Sequence, residues 1–408
     1  MTGIRSVQTI LAAAMAGTAL LVACAPAAPQ APSAASSAPT TAAAPAAAAP
    51  STAPAAASGG TIKLVGVGPM TGSNAEFGGD LRNGAQMAID EINAAGGVGG
   101  KKLTADFFDD EAKPEAAASA AQKIASDTSV FAVIGHVNSS CTLAGLPIYT
   151  RAGLTEISGD STNPNITHQG NKNFFRIIVN DALAGPETVK YAVNTLGKKK
   201  LGIIYENTDY GKGLVDASKP IAQQLGADLV ATETYTMGTD KDFSAQLTKI
   251  KAAQPEVLIH YGNYGEGGPI MAQAAKIGLN VPRLVEGGDQ DNQFIELAGK
   301  DAVEGVILFS TWDPTSQLPT AKGFQEKYKA KTGQDSTEWS AYNYDIVYLL
   351  KAAIEKGATK ETLPTVLHGL KLDGVTGHTE FDDNGDVVGK QLFVLTIKGG
   401  KFVTPSSG

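Results

Sequence analysis

The segment Val130–Thr142, VFAVIGHVNSSCT, joins a run of apolar residues to a cluster of small hydroxyl-bearing side chains. Val130 to Ile134 predicts a buried β-strand, and the residues after Ser139 predict a helix. Hydroxyl groups at the start of a helix can cap that helix, and together with its unpaired N–H groups they can also bind an anion. The segment therefore predicts a strand–loop–helix unit whose loop is either a simple cap or part of a ligand site.

The alternation of strand and helix patterns extends along residues 60–310. Strand patterns occupy residues 61–67, 103–108, 130–134, 155–158, 200–205, 227–235, 257–261 and 305–309. Helical patterns between them occupy residues 77–92, 114–126, 213–225, 242–253 and 267–277. Because helices of this length between strands form right-handed βαβ units, the pattern predicts an α/β protein with two doubly wound parallel-sheet lobes.

The last hundred residues carry a different pattern. Residues 321–331 and 341–356 predict two longer helices, and the polar run Asp382–Asp386 between apolar segments predicts a β-hairpin. The same polar run lacks the Gly and Glu positions of a calcium-binding loop, and the five histidines are scattered, so we expect no metal site.

The 408-residue chain begins with a segment that lacks the patterns of a folded domain. Residues 1–23 carry one charged side chain, Arg5, ahead of a mostly apolar run, as a secretory signal peptide does. The end of this run, Leu21-Val22-Ala23-Cys24, resembles the lipobox of bacterial lipoproteins, which implies that Cys24 is lipidated and anchors the protein to a membrane. An ordinary signal peptide with an incidental cysteine is the alternative. Residues 24–59 are almost entirely Ala, Pro, Ser and Thr and predict a disordered tether.

Composition limits what the remaining 349 residues can be. They hold every charged side chain except Arg5, so their formal charge is −9 where that of the whole chain is −8, and nothing favours a nucleic-acid partner. Their length favours two domains, and no apolar run among them is long enough to span a bilayer. The only cysteines are Cys24 and Cys141, so an intrachain disulfide is excluded once Cys24 is lipidated.

The loops that follow the predicted strands indicate the kind of ligand. Ligands of parallel sheets bind at the carboxyl ends of strands, and two successive strand ends here carry hydroxyl clusters, 139–142 and 158–167. Lys212 is the only lysine or arginine in the loops 68–79, 135–142, 158–167, 206–213, 261–268 and 287–292. A phosphate or dicarboxylate usually requires Arg or Lys, whereas a zwitterion can use N–H groups for its carboxylate and an acidic side chain for its ammonium. The loops therefore favour a neutral zwitterion.

Several motifs in colinear order carry a family resemblance. DEINAAGGVGGKKL (90–103), DDEAKPEAA (109–117), VIGHVNSSCT, ISGDSTNPNIT, YENTDYGKG (205–213), IHYGNYGEGG and AYNYD (341–345) closely resemble the branched-chain amino acid binding proteins of ABC transporters, the Leu/Ile/Val-binding type. The resemblance spans residues 60–398.

This resemblance implies a type I periplasmic binding protein fold, whose two lobes are joined by three chain crossings and close on the ligand. The crossings are expected near residues 179–181, 309–311 and 386–389. Lobe 1 then comprises residues 60–180 plus 310–387, and lobe 2 comprises 181–309 plus 388–408. The resemblance also implies an extracytoplasmic monomer that needs no cofactor, binds an amino acid and delivers it to an ABC permease.

The ligand contacts implied by the resemblance divide between the two ends of a zwitterion. The ligand carboxylate is expected at the hydroxyl and N–H of Ser139 and the N–H of Thr162, and the ammonium at the carbonyl of Asp160 and the hydroxyl of Thr162. An acidic partner for the ammonium is expected from lobe 2, with Asp289 preferred over Glu286.

The walls of the implied site come from both lobes. Tyr210 and Tyr264 are expected to cover the ligand, with Phe77 as a side-chain wall. Asn138 and Asp160 place polar groups where an aliphatic-selective pocket has apolar ones. We therefore expect a polar or small amino acid, or an amide, in preference to leucine, isoleucine or valine.

Three rival hypotheses remain at this point. Cys141 with His136, His168 or His260 could form a thiol hydrolase. Residues 66–72 imitate a dinucleotide-binding fingerprint, although their spacing and Pro69 oppose it. A sensor lipoprotein for amides or small carboxylates is also open, because the same fold serves both uses.

Overall fold

The first sheet is parallel and has five strands. The computed structural model describes residues 59–405, so the predicted signal peptide, Cys24 and nearly all of the tether lie outside the described residues. The strands are arranged in the order β2-β1-β3-β4-β5. Their bounds are β1 (Thr61–Gly68), β2 (Lys102–Asp109), β3 (Val130–Gly135), β4 (Thr155–Ser158) and β5 (Phe174–Arg176). The helices between them are α1 (Ala75–Ala94), α2 (Pro114–Ser126) and α3 (Ser139–Arg151). This is lobe 1.

The second sheet is mixed, with the order β14-β13-β10-β9-β8-β6-β7. Its parallel strands are β6 (Lys200–Glu206), β7 (Asp228–Tyr235), β8 (Val257–Tyr261), β9 (Arg283–Glu286) and β10 (Ile307–Ser310). Two antiparallel strands, β13 (Phe393–Lys398) and β14 (Lys401–Val403), extend one edge of the predicted parallel sheet. Its helices are α4 (Asp181–Lys190), α5 (Asp209–Gln224), α6 (Ser244–Ala252), α7 (Tyr264–Lys276), α8 (Asn292–Ala298) and α9 (Lys300–Val303). This is lobe 2.

The chain passes between the two lobes three times. It leaves lobe 1 after β5, returns after β10, and crosses again after Asp386, which forms a bridge with Arg176 before the chain reaches β13. The segment between the second and third crossings holds α10 (Pro319–Thr332), α11 (Glu338–Glu355), α12 (Leu363–His368) and the short hairpin β11 (Leu372–Gly374) and β12 (Gly377–Thr379). The three-crossing connection predicted by the resemblance is therefore present.

Each sheet of the two lobes is covered on both faces. On β1, Leu64 packs with the α1 side of the sheet, while Val65 and Val67 pack with α2 and α3 on the other side. The predicted apolar face of α1 is buried, and α1 packs against α11. Gly84 is needed at this contact, because a Cβ there would lie 2.1 Å from the carbonyl oxygen of Ser340.

The hairpin expected at Asp382–Asp386 is present only in a reduced form. The turn is present, since Asp382 Oδ1 accepts hydrogen bonds from the N–H groups of Asn384 (2.8 Å) and Asp386 (3.0 Å). Only one antiparallel bridge, between Phe381 and Val387, closes it. The chain then has to cross to the other lobe, so it leaves the turn before a second strand can form. The sequence patterns also missed β5 and β9, whose three and four residues are too few to show a period.

The winding of each sheet fixes where a ligand can bind. The strand order reverses between β1 and β3 in lobe 1, and between β6 and β8 in lobe 2. Crevices at such reversal points, beyond the carboxyl ends of the strands, are the usual ligand sites of doubly wound sheets. The loops that follow the strands at both reversal points are among those predicted from the sequence to bind a ligand.

A buried arginine joins the first and third crossings. Arg176 is fully buried, and its Nε donates to Asp386 Oδ1 at 2.6 Å. Its Nη1 donates to the carbonyl oxygens of Ser161 (3.0 Å) and Asn163 (2.9 Å). Asp386 also accepts from Asn180, which precedes α4. One guanidinium thus holds the connections between the lobes to the loop that follows β4.

Replacing this arginine should destabilise the protein strongly. In Arg176→Met the carboxylate of Asp386 stays buried without its cation, so we expect the free energy of unfolding to fall by about 3 to 5 kcal/mol. Urea denaturation followed by circular dichroism measures the change. Lys172→Met is the matched control, because Lys172 is an exposed cation that donates to Asp383 in the same turn. Equal loss in the two variants would contradict the role given to Arg176.

Candidate functional site

One cavity lies at the junction of the two lobes and the crossings. Its empty volume is about 570 Å³, including open solvent at its mouth. Lobe 1 contributes the loops after β3 and β4, lobe 2 contributes the loop after β9 and the start of α5, and the crossings contribute Asp181 and Thr311. Among the residues predicted from the sequence, Phe77, Asn138, Ser139, Asp160, Thr162, Tyr210 and Glu286 line this cavity.

The start of α3 provides hydrogen-bond donors on the lobe 1 side. Ser139 is its first residue, and the N–H groups of a first helical turn have no partner within the helix. The Oγ atom of Ser139 accepts a hydrogen bond from the N–H of Asn163 at 3.2 Å, so its own hydrogen stays available. Asn138 occupies the N-cap position, but its side chain makes no capping bond and its buried Oδ1 has no partner among the described residues. A helix start with an unused cap is suited to a ligand.

The other hydroxyls of the opening segment have structural roles. Ser140 Oγ donates to Asp209 Oδ2 at 2.7 Å and accepts from the N–H of Asp209 at 3.0 Å, so it joins lobe 1 to lobe 2. Thr142 Oγ1 bonds with Ser161 Oγ at 2.6 Å inside lobe 1. The three hydroxyl-bearing residues thus have different roles, and only Ser139 lines the cavity.

The loop after β4 lies beside the start of α3. Thr162 lines the cavity, and its buried Oγ1 has no hydrogen-bond partner among residues 59–405. The carboxylate of Asp160 accepts from Asn343 Nδ2 at 3.1 and 3.3 Å, which turns this side chain toward α11. The structure therefore brings Ser139, Asp160 and Thr162 together, as the resemblance implied.

Of the two tyrosines predicted to cover the ligand, Tyr210 lines the cavity and Tyr264 does not. Tyr210, at the start of α5, lines the cavity opposite the lobe 1 donors. Tyr264 does not line it; its ring packs edge-on against Phe77, 4.8 Å between centroids, and its hydroxyl accepts from the N–H of Glu76 at 3.1 Å. Tyr264 therefore forms a contact between the two lobes next to Phe77.

The structure does not bring the preferred acidic partner, Asp289, to the cavity. Asp289 is fully buried within lobe 2, where its Oδ2 bonds with His260 Nδ1 at 2.6 Å, and His260 Nε2 bonds with Tyr235 at 2.9 Å. Glu286, the last residue of β9, lines the cavity and accepts from the hydroxyl of Thr188. The strand end points into the cleft, whereas the turn after it folds back toward β8. Of the two candidates, Glu286 is thus the one placed to meet a ligand.

Two acidic residues that the sequence analysis missed also line the cavity. Asp181 is fully buried at the start of α4, and neither of its carboxylate oxygens has a partner in the described part of the chain. Glu338, at the start of α11, accepts from the N–H and hydroxyl of Thr311 through Oε2, while its Oε1 is unpartnered. Gly287 allows this approach, because a Cβ there would lie 2.5 Å from Glu338 Oε1. Position 181 lies in a predicted crossing, but nothing in the local pattern assigned it to the site.

The side chains lining the cavity that carry charge are all acidic. Asp160, Asp181, Glu286 and Glu338 line it, and the described lining residues include no Lys, Arg or His. Burial raises the pKa of Asp160 to about 8, and those of Asp181 and Glu338 to about 7. Burial also raises the pKa of Glu286 well above its usual value. A cation bound beside these carboxyl groups would stabilise their ionised forms and lower their pKa values.

The features needed for thiol or metal chemistry lie elsewhere or are missing from the described residues. Cys141 is fully buried outside the cavity, and burial raises the pKa of its thiol well above the usual value, which opposes a nucleophilic role. Its neighbour His136 is bonded to Asp110 at 2.7 Å and Tyr149 at 3.1 Å. Within residues 59–405, no three or more His, Cys, Asp or Glu side chains are arranged to hold a metal ion. In the same range no helix combines the length and apolarity required to cross a membrane.

Comparison with known proteins agrees with this architecture. The family model described as periplasmic binding protein matches residues 61–401. An amino acid binding protein of Pseudomonas aeruginosa is 33% identical over 79% of this chain and 87% of its own length. A Leu/Ile/Val-binding protein homolog of Brucella abortus is 34% identical over the same shares of the two chains.

A solved structure gives the same result. The branched-chain amino acid transporter substrate binding protein LivJ of Streptococcus pneumoniae, in complex with isoleucine, superimposes with a TM-score of 0.79 at 30% identity. The match covers 84% of this chain and 97% of that one. The predicted type I periplasmic binding fold and the family resemblance are confirmed. Sequence and structure together show that this chain belongs to the periplasmic binding protein family.

Proposed function

We propose that this protein is the solute-binding component of an ABC uptake transporter and that it binds an amino acid or a similar small zwitterion between its lobes. The observation that supports this most directly is the cavity itself, where the start of α3 and the hydroxyls of Ser139 and Thr162 share one space with buried carboxyl groups. The relatives named for amino acid binding, and the isoleucine-bound neighbour, support the same class of ligand.

The proposed binding mode assigns one end of the zwitterion to each set of groups. The ligand carboxylate binds the N–H and hydroxyl of Ser139 and the N–H of Thr162, and the ammonium binds the Asp160 carbonyl, the Thr162 hydroxyl and Glu286. Tyr210 and Phe77 then cover the ligand as lobe 1, residues 60–180 plus 310–387, closes on lobe 2, residues 181–309 plus 388–408. The ligand's higher affinity for the closed form drives closure.

Removing the Ser139 hydroxyl should weaken binding. A hydrogen bond to a charged group contributes about 1.5 to 3 kcal/mol, so Ser139→Ala should lose that much binding free energy. Isothermal titration calorimetry with the amino acid that raises the melting temperature most measures the loss. The control is Ser126→Ala, because Ser126 bonds only to Lys123 at the exposed end of α2. Wild-type affinity in Ser139→Ala would contradict the proposed carboxylate site.

Binding should also depend on pH in a defined direction. Burial raises the pKa of Asp160 to about 8 and those of Asp181 and Glu338 to about 7, and it raises the pKa of Glu286 as well. An ammonium favours the ionised carboxylates, so binding releases protons and affinity rises between pH 6 and pH 8. Calorimetry in two buffers with different heats of ionisation measures the protons released. Equal or weaker affinity at pH 8 would refute an ammonium in this cavity.

We further propose that the protein acts outside the cytoplasm, tethered by a lipid on Cys24. Family membership supports the location, and the lipobox-like residues before Cys24 support the anchor. Cells that express Cys24→Ser should lose the protein from the membrane fraction and lose incorporation of labelled fatty acid, while Cys141→Ser should keep both. Membrane retention of unlabelled Cys24→Ser protein would contradict the lipid anchor.

A further inference from the structure

The cavity contains more carboxyl groups than a single ammonium requires. Asp160, Asp181, Glu286 and Glu338 all line it. An ammonium has three N–H donors, and the binding mode proposed above already gives each of them an acceptor. Asp181 and Glu338 are then left over, although both are almost completely buried.

Asp181 has no structural task that explains its position. An acidic residue in the first turn of a helix stabilises the helix dipole, but that role is fulfilled equally well at the surface. The cap of α4 is Asn180, whose side chain accepts from the N–H of Ala182 at 3.1 Å. Asp181 itself is 0% exposed, and neither of its oxygens has a hydrogen-bond partner of normal geometry in the described part of the chain. Burial raises the pKa of Asp181, and the nearby Thr162 hydroxyl lowers it in part. The Asp181 carboxylate can therefore accept hydrogen bonds from a ligand in the cavity.

Glu338 shows the same property at a second helix start. The cap of α11 is Thr337, which forms a capping box with Ser340, so Glu338 is not needed as a cap. One oxygen of Glu338 is held by Thr311, at 2.9 Å from the hydroxyl and 3.2 Å from the N–H. The other oxygen, Oε1, is buried and has no partner within residues 59–405. Thr311 thus fixes the carboxylate with one acceptor left free.

An aliphatic ligand would leave these acceptors unsatisfied. A buried polar atom that loses water without gaining a hydrogen bond is costly, and a hydrocarbon side chain in this cavity would remove the water. Phe77, Ile178 and Val179 supply apolar walls for the carbon atoms of a side chain. The lining therefore matches a side chain with an apolar stem and an N–H-donating end.

We propose that the preferred ligand is an amino acid whose side chain ends in a nitrogen group with N–H donors, namely an ammonium, a guanidinium or a carboxamide, and that Asp181 and Glu338 accept its hydrogen bonds. This inference rests on the proposed function, because it specifies the side chain of the zwitterion assigned there.

Pairs of ligands that differ at the side-chain end test the inference directly. Calorimetry compares lysine with norleucine, and asparagine with leucine, together with arginine, glutamine, isoleucine and valine. In at least one pair the nitrogen-bearing ligand should bind about tenfold or more tightly than its hydrocarbon counterpart. Success with lysine or arginine identifies a cationic group, and success with asparagine or glutamine identifies a carboxamide. Tighter binding of the hydrocarbon member in both pairs would overturn the inference.

Two conservative variants test whether these particular residues are responsible. Asp181→Asn and Glu338→Gln keep the shape of each side chain but remove its charge. Each should weaken binding of the preferred nitrogen-bearing ligand by about tenfold and leave norleucine and leucine unchanged or bound more tightly. The controls are Asp216→Asn on the exposed side of α5 and Glu355→Gln at the far end of α11. Unchanged selectivity in both cavity variants would refute the assignment to Asp181 and Glu338.

The failure of this inference can be told apart from the failure of the proposed function. If hydrocarbon amino acids bind best, the zwitterion site stands and only the side-chain assignment is lost. If no amino acid of either kind raises the melting temperature of the folded protein, the proposed function itself is refuted, and the inference is refuted with it.

Discussion

The unpaired donors at the start of α3 share one cavity with buried carboxyl groups that have no cationic partner in the described chain. Each set of groups is costly to bury alone, because N–H donors and ionised carboxylates both lose their water. Protons reduce that cost in the absence of a ligand, as the pKa of about 8 for Asp160 indicates. A zwitterion with N–H donors on its side chain, as proposed above, would satisfy both sets at once, and the imbalance that destabilises the empty cavity would then contribute to the affinity for that ligand.

The three crossings contribute to this cavity as well as joining the lobes. The first places Asp181 in the lining, the second places Thr311 there, and Thr311 in turn orients Glu338. The third is fixed by Asp386 to Arg176, which also holds the carbonyl groups of Ser161 and Asn163 on either side of Thr162. The connections between the lobes and the lining of the cavity therefore share residues that are bonded to each other. Ser140 and Asp209 add a direct contact between the lobes at the edge of the cavity.

Two of the lobe 1 residues predicted from the sequence lie side by side in the cavity lining, and their role in ligand binding stays a prediction. Ser139 and Thr162 follow consecutive strands of one parallel sheet, and such strand ends necessarily lie side by side. The acidic lining residues were harder to predict from the sequence. Their side chains come from the first crossing, from the end of β9 and from the start of α11. Glu286 and Asp289 are three residues apart, and only the fold of the turn after β9 shows that the first faces the cavity and the second faces His260.

By itself the sequence determined the alternation of strands and helices, the place where α3 begins, and the shortage of cations in the strand-end loops. These features follow from local period and residue type, which neighbouring residues set together. Only the tertiary structure decided that Asp181 and Glu338 enter the same space as Ser139, because residues far apart in the chain meet there after three crossings. Burial, and with it the raised pKa and the unused hydrogen-bonding capacity of those carboxyl groups, is a property of that meeting.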